Sequence, residues 1–283
     1  MMPTRAPAVQ ITDSITLGGD RLVVFAGPCS IESEDITLRV AESVKQMGAD
    51  LDIDVVFKSS YDKANRTSIG SYRSAGMEEG LRILQKVKDQ FDMPVITDVH
   101  ESTQVPTLAE VADVLQIPAF LCRQTDLLVA CGESGRAVNI KRGQFMAARD
   151  MRFAVEKVRH AGGKAVFLTE RGVSFGYHDL VVDMRSFPIM REFTPVVYDV
   201  THSIQQPGAM DGSSGGARWL AAPLAQGAVA VGVDGLFFET HPDPDNALSD
   251  GPNMIPTDEL PAVLRKLKAI WEVRRWESCW AHH

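Results

Sequence analysis

The sequence predicts an α/β fold, and within that class a (β/α)8 barrel of the TIM type, on three observations. About eight short, β-branched apolar runs are spread along the 283 residues. Each run precedes a stretch with helical periodicity. The runs are apolar throughout instead of alternating with polar residues, which is the pattern of parallel strands covered on both faces. No linker or low-complexity block interrupts them, so one catalytic domain is expected over residues 1–283, with residues 1–20 as an N-terminal hairpin or plug.

Taken in order, Val9–Ile15 and a turn at Gly18-Gly19 predict a hairpin able to close the barrel floor. Strands are expected at Leu22–Ala26, Ile53–Lys58, Pro94–Asp98, Asp113–Ile117, Ala137–Lys141, Lys164–Thr169, Pro195–Asp199 and Gly235–Glu239. A helix over Asp35–Met47 follows Ser33 as N-cap and sets Val40 and Val44 on one face. Gly76–Phe91 gathers Leu81, Leu84 and Val87 before Pro94 stops it, and Phe145–His160 ends at Gly162-Gly163. Thr257–Trp276 opens on Asp258 and Glu259 and carries Leu260, Leu264, Leu267 and Trp271 along one side, with basic residues near its end. Two stretches read as long and irregular, Ser60–Ala75 and the Gly-, Ser- and Pro-rich Ile204–Arg218. Loops of that length in a compact domain are usually functional, and Ile204–Arg218 is expected to close over a site.

A net charge of −8 excludes a general nucleic-acid binder, while local Lys and Arg clusters point to small anionic substrates. Cys29, Cys122, Cys131 and Cys279 form no CxxC pair or secreted-type framework, so free thiols in a cytoplasmic protein are expected. No apolar run approaches the roughly 18 residues of a membrane-spanning helix, and no leader is expected.

In such a barrel the strand C-termini form the active face, and here almost every one ends on a polar residue. Cys29, Lys58, Asp98 with His100, Gln116, Lys141, Arg171, His202 and Glu239 would share one mouth. Charges ending apolar strands are costly unless something pairs with them. Cys29, His202, Glu239 and Asp250 offer thiolate, imidazole and carboxylates, a set that suits zinc, iron or manganese better than calcium. The run Lys58-Ser-Ser-Tyr-Asp-Lys63-Ala-Asn65-Arg66-Thr67-Ser68 concentrates cations, an amide and hydroxyls, the donors that phosphate or carboxylate groups require.

Four strings carry a family resemblance: Phe25-Ala-Gly-Pro-Cys-Ser-Ile-Glu-Ser33, Phe57-Lys-Ser-Ser-Tyr-Asp-Lys-Ala-Asn-Arg66, Asp199-Val-Thr-His-Ser203 and Glu239-Thr-His-Pro-Asp243. From about Ile15 to about Lys268 the chain resembles the 3-deoxy-D-manno-octulosonate 8-phosphate synthases, also called 2-dehydro-3-deoxyphosphooctonate aldolases. The resemblance implies a transferase that condenses phosphoenolpyruvate with D-arabinose 5-phosphate for lipopolysaccharide precursor synthesis. Ala64-Asn65 stands where erythrose 4-phosphate synthases typically carry Pro-Arg. Cys29 and Ser249-Asp-Gly-Pro-Asn-Met254 look like the metal-dependent branch, which implies a divalent manganese, iron, cobalt or zinc ion on Cys29, His202, Glu239 and Asp250.

Residue by residue, the resemblance places Lys58 and Lys63 near the phosphoenolpyruvate carboxylate, and Lys141 and Arg171 near its phosphate. Asn65, Arg66 and Thr67 would hold the sugar phosphate, with Arg123 arriving from a neighbouring subunit of a homotetramer. Gln116 joins the substrate-binding set; Lys58, Asp98, His100 and Asp250 are the candidate catalytic or orienting groups. One departure is visible: Ser74-Ala75-Gly76 replaces the Gly-Pro-Gly common in the family after Tyr-Arg, which should alter local geometry and not activity. Three readings stay open beside this one: an erythrose 4-phosphate synthase, a Schiff-base aldolase working through Lys58 or Lys141, and a non-catalytic sugar-phosphate sensor.

Overall fold

The computed structural model describes residues 6–65, 70, 72–174, 179–210 and 213–273. At its centre are eight parallel strands: β1 (Val23–Gly27), β2 (Asp54–Lys58), β3 (Val95–Asp98), β4 (Val114–Ile117), β5 (Ala137–Lys141), β6 (Val166–Glu170), β7 (Val196–Asp199) and β8 (Gly235–His241). Each pairs with the next in the chain. β8 returns to β1 through Leu236↔Val24 and Phe237↔Phe25, so the sheet closes on itself as a (β/α)8 barrel. All eight expected strands are present, with ends displaced by no more than two residues.

Around them run α1 (Glu34–Leu51), α2 (Met77–Phe91), α3 (Val105–Val111), α4 (Thr125–Glu133), α5 (Met151–His160), α6 (Ser186–Met190), α7 (Ala221–Val231) and α8 (Leu260–Val273). Ser33 caps α1 as expected, its Oγ accepting the Ile36 amide at 3.3 Å, while Glu34 and Asp35 complement the dipole of the first turn. α5 starts at Met151, later than its periodicity implies. The Arg142 guanidinium donates to Met146 O at 2.9 Å and holds the preceding segment in a loop. α8 starts after Thr257, whose hydroxyl bonds that of Thr240 at 3.1 Å and pins the chain to β8.

Strand alternation divides the core into two layers. Outward residues such as Val24, Phe57, Leu115 and Leu168 meet the helices. Inward residues Phe25, Val56, Ile96, Val114, Phe167, Val197 and Phe237 fill the barrel, with Phe25 and Phe167 stacked at 5.5 Å. Val9, Ile11, Ile15 and Leu17 join this inner cluster from below. They belong to the N-terminal hairpin, in which Val9–Gln10 pairs with Thr16–Leu17. Its turn lies within residues 11–15, where Thr12 Oγ1 accepts the Ile15 amide at 3.1 Å, and not at Gly18-Gly19, which follow the second strand. The stretch expected to be irregular after β7 also forms a hairpin, Gln205–Met210 with Ser213–Gly216. Glycine and serine there are read correctly as turn formers and missed as strand residues.

Candidate active site

All eight strands point their C-termini at one cavity of about 550 Å³, a volume suited to small metabolites. Lys58, Lys63, Asn65, Asp98, His100, Lys141, Arg171, His202 and Asp250 are among its lining residues. Cys29, Gln116 and Glu239 are fully buried just beneath. Arg66 and Thr67 lie outside the described residues, as does Gly212 within the loop after β7. Arg123 is exposed and lines no part of its own chain's cavity.

On one side four donors converge. The ligand atoms of Cys29, Glu239 and Asp250 lie within 4.8 Å of one another. His202 Nε2 is 3.4 Å from Glu239 Oε1 and 4.0 Å from Asp250 Oδ2, and Cys29 Sγ is 3.4 Å from the same Asp250 oxygen. Ligands at tetrahedral corners around a transition ion stand about 3.3–3.8 Å apart, so the cluster has the dimensions of a metal site. Glu239 Oε2 is buried without a hydrogen-bond partner, leaving a carboxylate oxygen for a cation. Burial, then the charge on Glu239, push the Cys29 thiol well above its usual range, and Lys63 and Lys58 only partly offset them. A cation at this point would reverse that balance and yield the thiolate.

Gly27 lets β1 present Cys29 this closely: a Cβ there would stand 2.0 Å from Lys58 O. His202 is oriented from behind by Asp199, whose Oδ2 is 2.8 Å from its Nδ1, leaving Nε2 aimed at the cluster. Asp199 also pairs with Lys141 Nζ at 2.7 Å. The spacing Asp199-Val-Thr-His202 was the available signal for this orienting carboxylate, to which sequence reasoning gave no role.

The other side of the cavity is cationic. Lys58, 1 % exposed, donates to Glu239 Oε1 at 3.0 Å, Ser60 Oγ at 3.1 Å and Cys29 O at 3.3 Å. Lys63 Nζ is 3.8 Å from the same Glu239 oxygen. Burial favours the neutral form of Glu239, but His202, Lys58, Lys63 and Lys141 prevail and hold its carboxyl well below the usual carboxylate range. The same contest, settled by Lys58 and Lys63, keeps Asp98 ionised. Asp98 accepts from Ser60 Oγ and Gln116 Nε2, which fixes its orientation. Arg171 donates to Gln205 Oε1 at 2.7 Å and keeps Nη1 buried without a partner, an N–H available to an anion. His100 lines the cavity with a ring nitrogen 3.2 Å from Asp62 O, a contact that ties it to the loop after β2.

Two loops meet at the rim. Arg218 donates to Gly251 O at 2.8 Å and reaches Asp245 at 3.1 Å, docking the base of the β7 hairpin on the loop that carries Asp250. Gly216 permits this, since a Cβ there would stand 1.8 Å from Asn253 Oδ1. Ser74, at the departure from the family pattern, has φ 101°, a backbone state that favours glycine. Its hydroxyl compensates by donating to Ile31 O at 2.7 Å.

The DAHP synthetase I family model matches residues 6–274. Three similar curated relatives each carry the name 2-dehydro-3-deoxyphosphooctonate aldolase. The protein from Geobacter sulfurreducens is 57% identical over 91% of this chain and 95% of its own length. Those from Trichlorobacter lovleyi and Nitratidesulfovibrio vulgaris are 56% and 54% identical, over 93% and 89% of this chain and 97% and 93% of their own. With the barrel and its cavity on the same residues, the chain belongs to the DAHP synthetase I family.

Proposed function

We propose that this protein condenses phosphoenolpyruvate with D-arabinose 5-phosphate and water, giving 3-deoxy-D-manno-octulosonate 8-phosphate and phosphate. The observation that carries the reading is the joining of a buried cationic wall to the Cys29, His202, Glu239 and Asp250 cluster in one cavity. The names of the relatives support it.

The reaction brings two multiply charged anions together, so its first demand is electrostatic. Lys58 and Lys63 hold the phosphoenolpyruvate carboxylate; Lys141 and Arg171 hold its phosphate, with the spare Arg171 Nη1 as one donor. Asn65, Arg66 and Thr67 receive the sugar phosphate. The methylene carbon of phosphoenolpyruvate then bonds to the aldehyde carbon, water adds at the adjacent enol carbon that bears the phosphate, and phosphate leaves with its bridging oxygen. Asp98, ionised and fixed by Ser60 and Gln116, lies 4.0 Å from Lys58 Nζ and helps to aim that side chain inward.

Lys58, Lys63 and Lys141 are ion-paired with Asp98, Glu239 and Asp199 at and beneath the cavity wall, so much of its positive charge is already balanced before two anions bind. That balance supports a divalent ion held by Cys29, His202, Glu239 and Asp250, which when bound supplies Lewis acidity and the missing charge. Manganese, iron, cobalt and zinc all suit this donor set. The Schiff-base reading is less well supported, because Lys58 and Lys141 are each engaged in a buried ion pair, with Glu239 and with Asp199.

A homotetramer in the cytoplasm completes the proposal. The exposure of Arg123, away from its own cavity, supports a role for it in a neighbouring subunit. No helix among the described residues is long and apolar enough to cross a membrane. The test is phosphate release from phosphoenolpyruvate with arabinose 5-phosphate and erythrose 4-phosphate assayed side by side. A clear preference for the pentose is expected. Preference for the tetrose, or release with neither sugar, overturns the reading.

A further inference from the structure

Behind the Cys29, Glu239 and Asp250 cluster is a second pair of ionisable groups to which the reaction assigns no task. His241 ends β8, two residues beyond Glu239, and its side chain is 5% exposed. Glu32 follows Cys29 in the loop after β1, with a side chain 6% exposed. His241 Nδ1 accepts the Asp243 amide at 3.0 Å, so the ring carries its proton on Nε2. That nitrogen is buried, makes no hydrogen bond, and lies 3.8 Å from Glu32 Oε2. The other Glu32 oxygen accepts the Leu248 amide at 2.9 Å. Leu248 directly precedes Ser249, whose Oγ is 2.9 Å from Cys29 Sγ, and Asp250.

A carboxylate thus stands at the junction of three pieces of chain: the β1 loop that carries Cys29, the end of the strand that carries Glu239, and the loop that carries Asp250. Asp250 itself has φ 52°, a left-handed backbone state that is less favourable than the usual regions and that a fixed neighbouring segment helps to hold. We infer that Glu32 and His241 are positioning residues that fix the spacing of Cys29, Glu239 and Asp250 by clamping residues 243–249 against the β1 loop. Neither touches the cavity. Their effect reaches the site through the backbone of residues 248–250.

This inference rests on the metal reading above for its consequence and on geometry for its cause, and the two are tested separately. Glu32→Ala, Glu32→Gln and His241→Ala are compared with the parent. In metal-stripped protein, hydrogen exchange of the peptide covering residues 244–254 is expected to accelerate in both alanine variants and to stay near the parent rate in Glu32→Gln, which keeps an acceptor for the Leu248 amide. Zinc affinity, measured by competition with a chromophoric chelator, should fall about 10–100-fold in the alanine variants, the usual effect of losing an outer partner of a metal site. The KM for phosphoenolpyruvate at saturating metal should not change. Unaltered exchange over residues 244–254 in both alanine variants overturns the clamp, as does a loss of melting temperature with zinc affinity intact. A parent that takes up no zinc fails the metal reading alone, because the exchange measurement still decides the clamp.

Discussion

Replacing Lys58 by Met removes one charge from the centre of the site and keeps most of the aliphatic stem. In the parent its ammonium donates to Glu239, Ser60 and the Cys29 carbonyl from a fully enclosed position. Removing one partner of a buried ion pair typically costs about 3–5 kcal/mol, because the remaining charge is stranded. Lys63, 3.8 Å from the same Glu239 oxygen, still provides a counter-charge, so the lower end, about 3 kcal/mol, applies. In a chain approaching this length that corresponds to a melting point lower by about 6–12 °C.

The deficit also has a definite pH dependence. Glu239 in the parent has a depressed pKa and so contributes stability above the ordinary carboxylate value of about 4.3, lost only as pH falls through its lower folded value. In Lys58→Met the folded pKa of Glu239 rises, and the variant relieves its stranded charge by binding a proton. The gap between the two melting curves should therefore be widest near pH 7 and narrow on acidification, as pH falls through the raised Glu239 value of the variant. Adding Glu239→Gln to Lys58→Met should restore part of the lost stability. Calorimetry of the metal-free proteins measures all of this. A variant that melts with the parent at pH 7, or a gap that widens on acidification, refutes the claim that Lys58 holds the Glu239 charge.

Chelation should abolish activity and added manganese, iron, cobalt or zinc restore it to differing extents, with Cys29→Asn weakening metal binding in titration calorimetry. Arg171→Ala should raise the KM for phosphoenolpyruvate about 10–100-fold, the loss of a charged hydrogen bond worth about 1.5–3 kcal/mol, and Arg66→Ala that for arabinose 5-phosphate; equal effects of both changes on both substrates would refute the phosphate assignments. Gly216→Ala should force the β7 hairpin off Asn253 and speed proteolysis around residues 208–214, while Ser74→Gly, which exchanges a hydrogen bond for backbone relief, should change stability by less than about 1 kcal/mol.

The strands were legible because a doubly covered parallel strand needs an unbroken apolar run, and their polar termini then defined the cavity face without further information. Cys29, His202, Glu239 and Asp250 were legible by side-chain chemistry, and their convergence followed from barrel closure. What stayed hidden depends on tertiary contact. Asp199 is a strand residue until Lys141 and His202 are seen to share it. Glu32 reads as part of the approach to a helix, and only the fold brings Leu248, 216 residues further on, to its carboxylate. The hairpin Gln205–Gly216 was missed because its Gly and Ser content lacks β-propensity, and its base is held instead by Arg218 and by the close approach of Gly216 to Asn253.

The most direct test of the central claim follows the bridging oxygen of phosphoenolpyruvate. Substrate carrying heavy oxygen at that position is turned over with arabinose 5-phosphate, and both products are read by mass spectrometry. An eight-carbon 3-deoxy sugar acid phosphate without the label, together with labelled inorganic phosphate, is the predicted result, since water adds at the enol carbon and the C–O bond breaks. Label retained in the sugar product, or no eight-carbon product at all, would contradict the account.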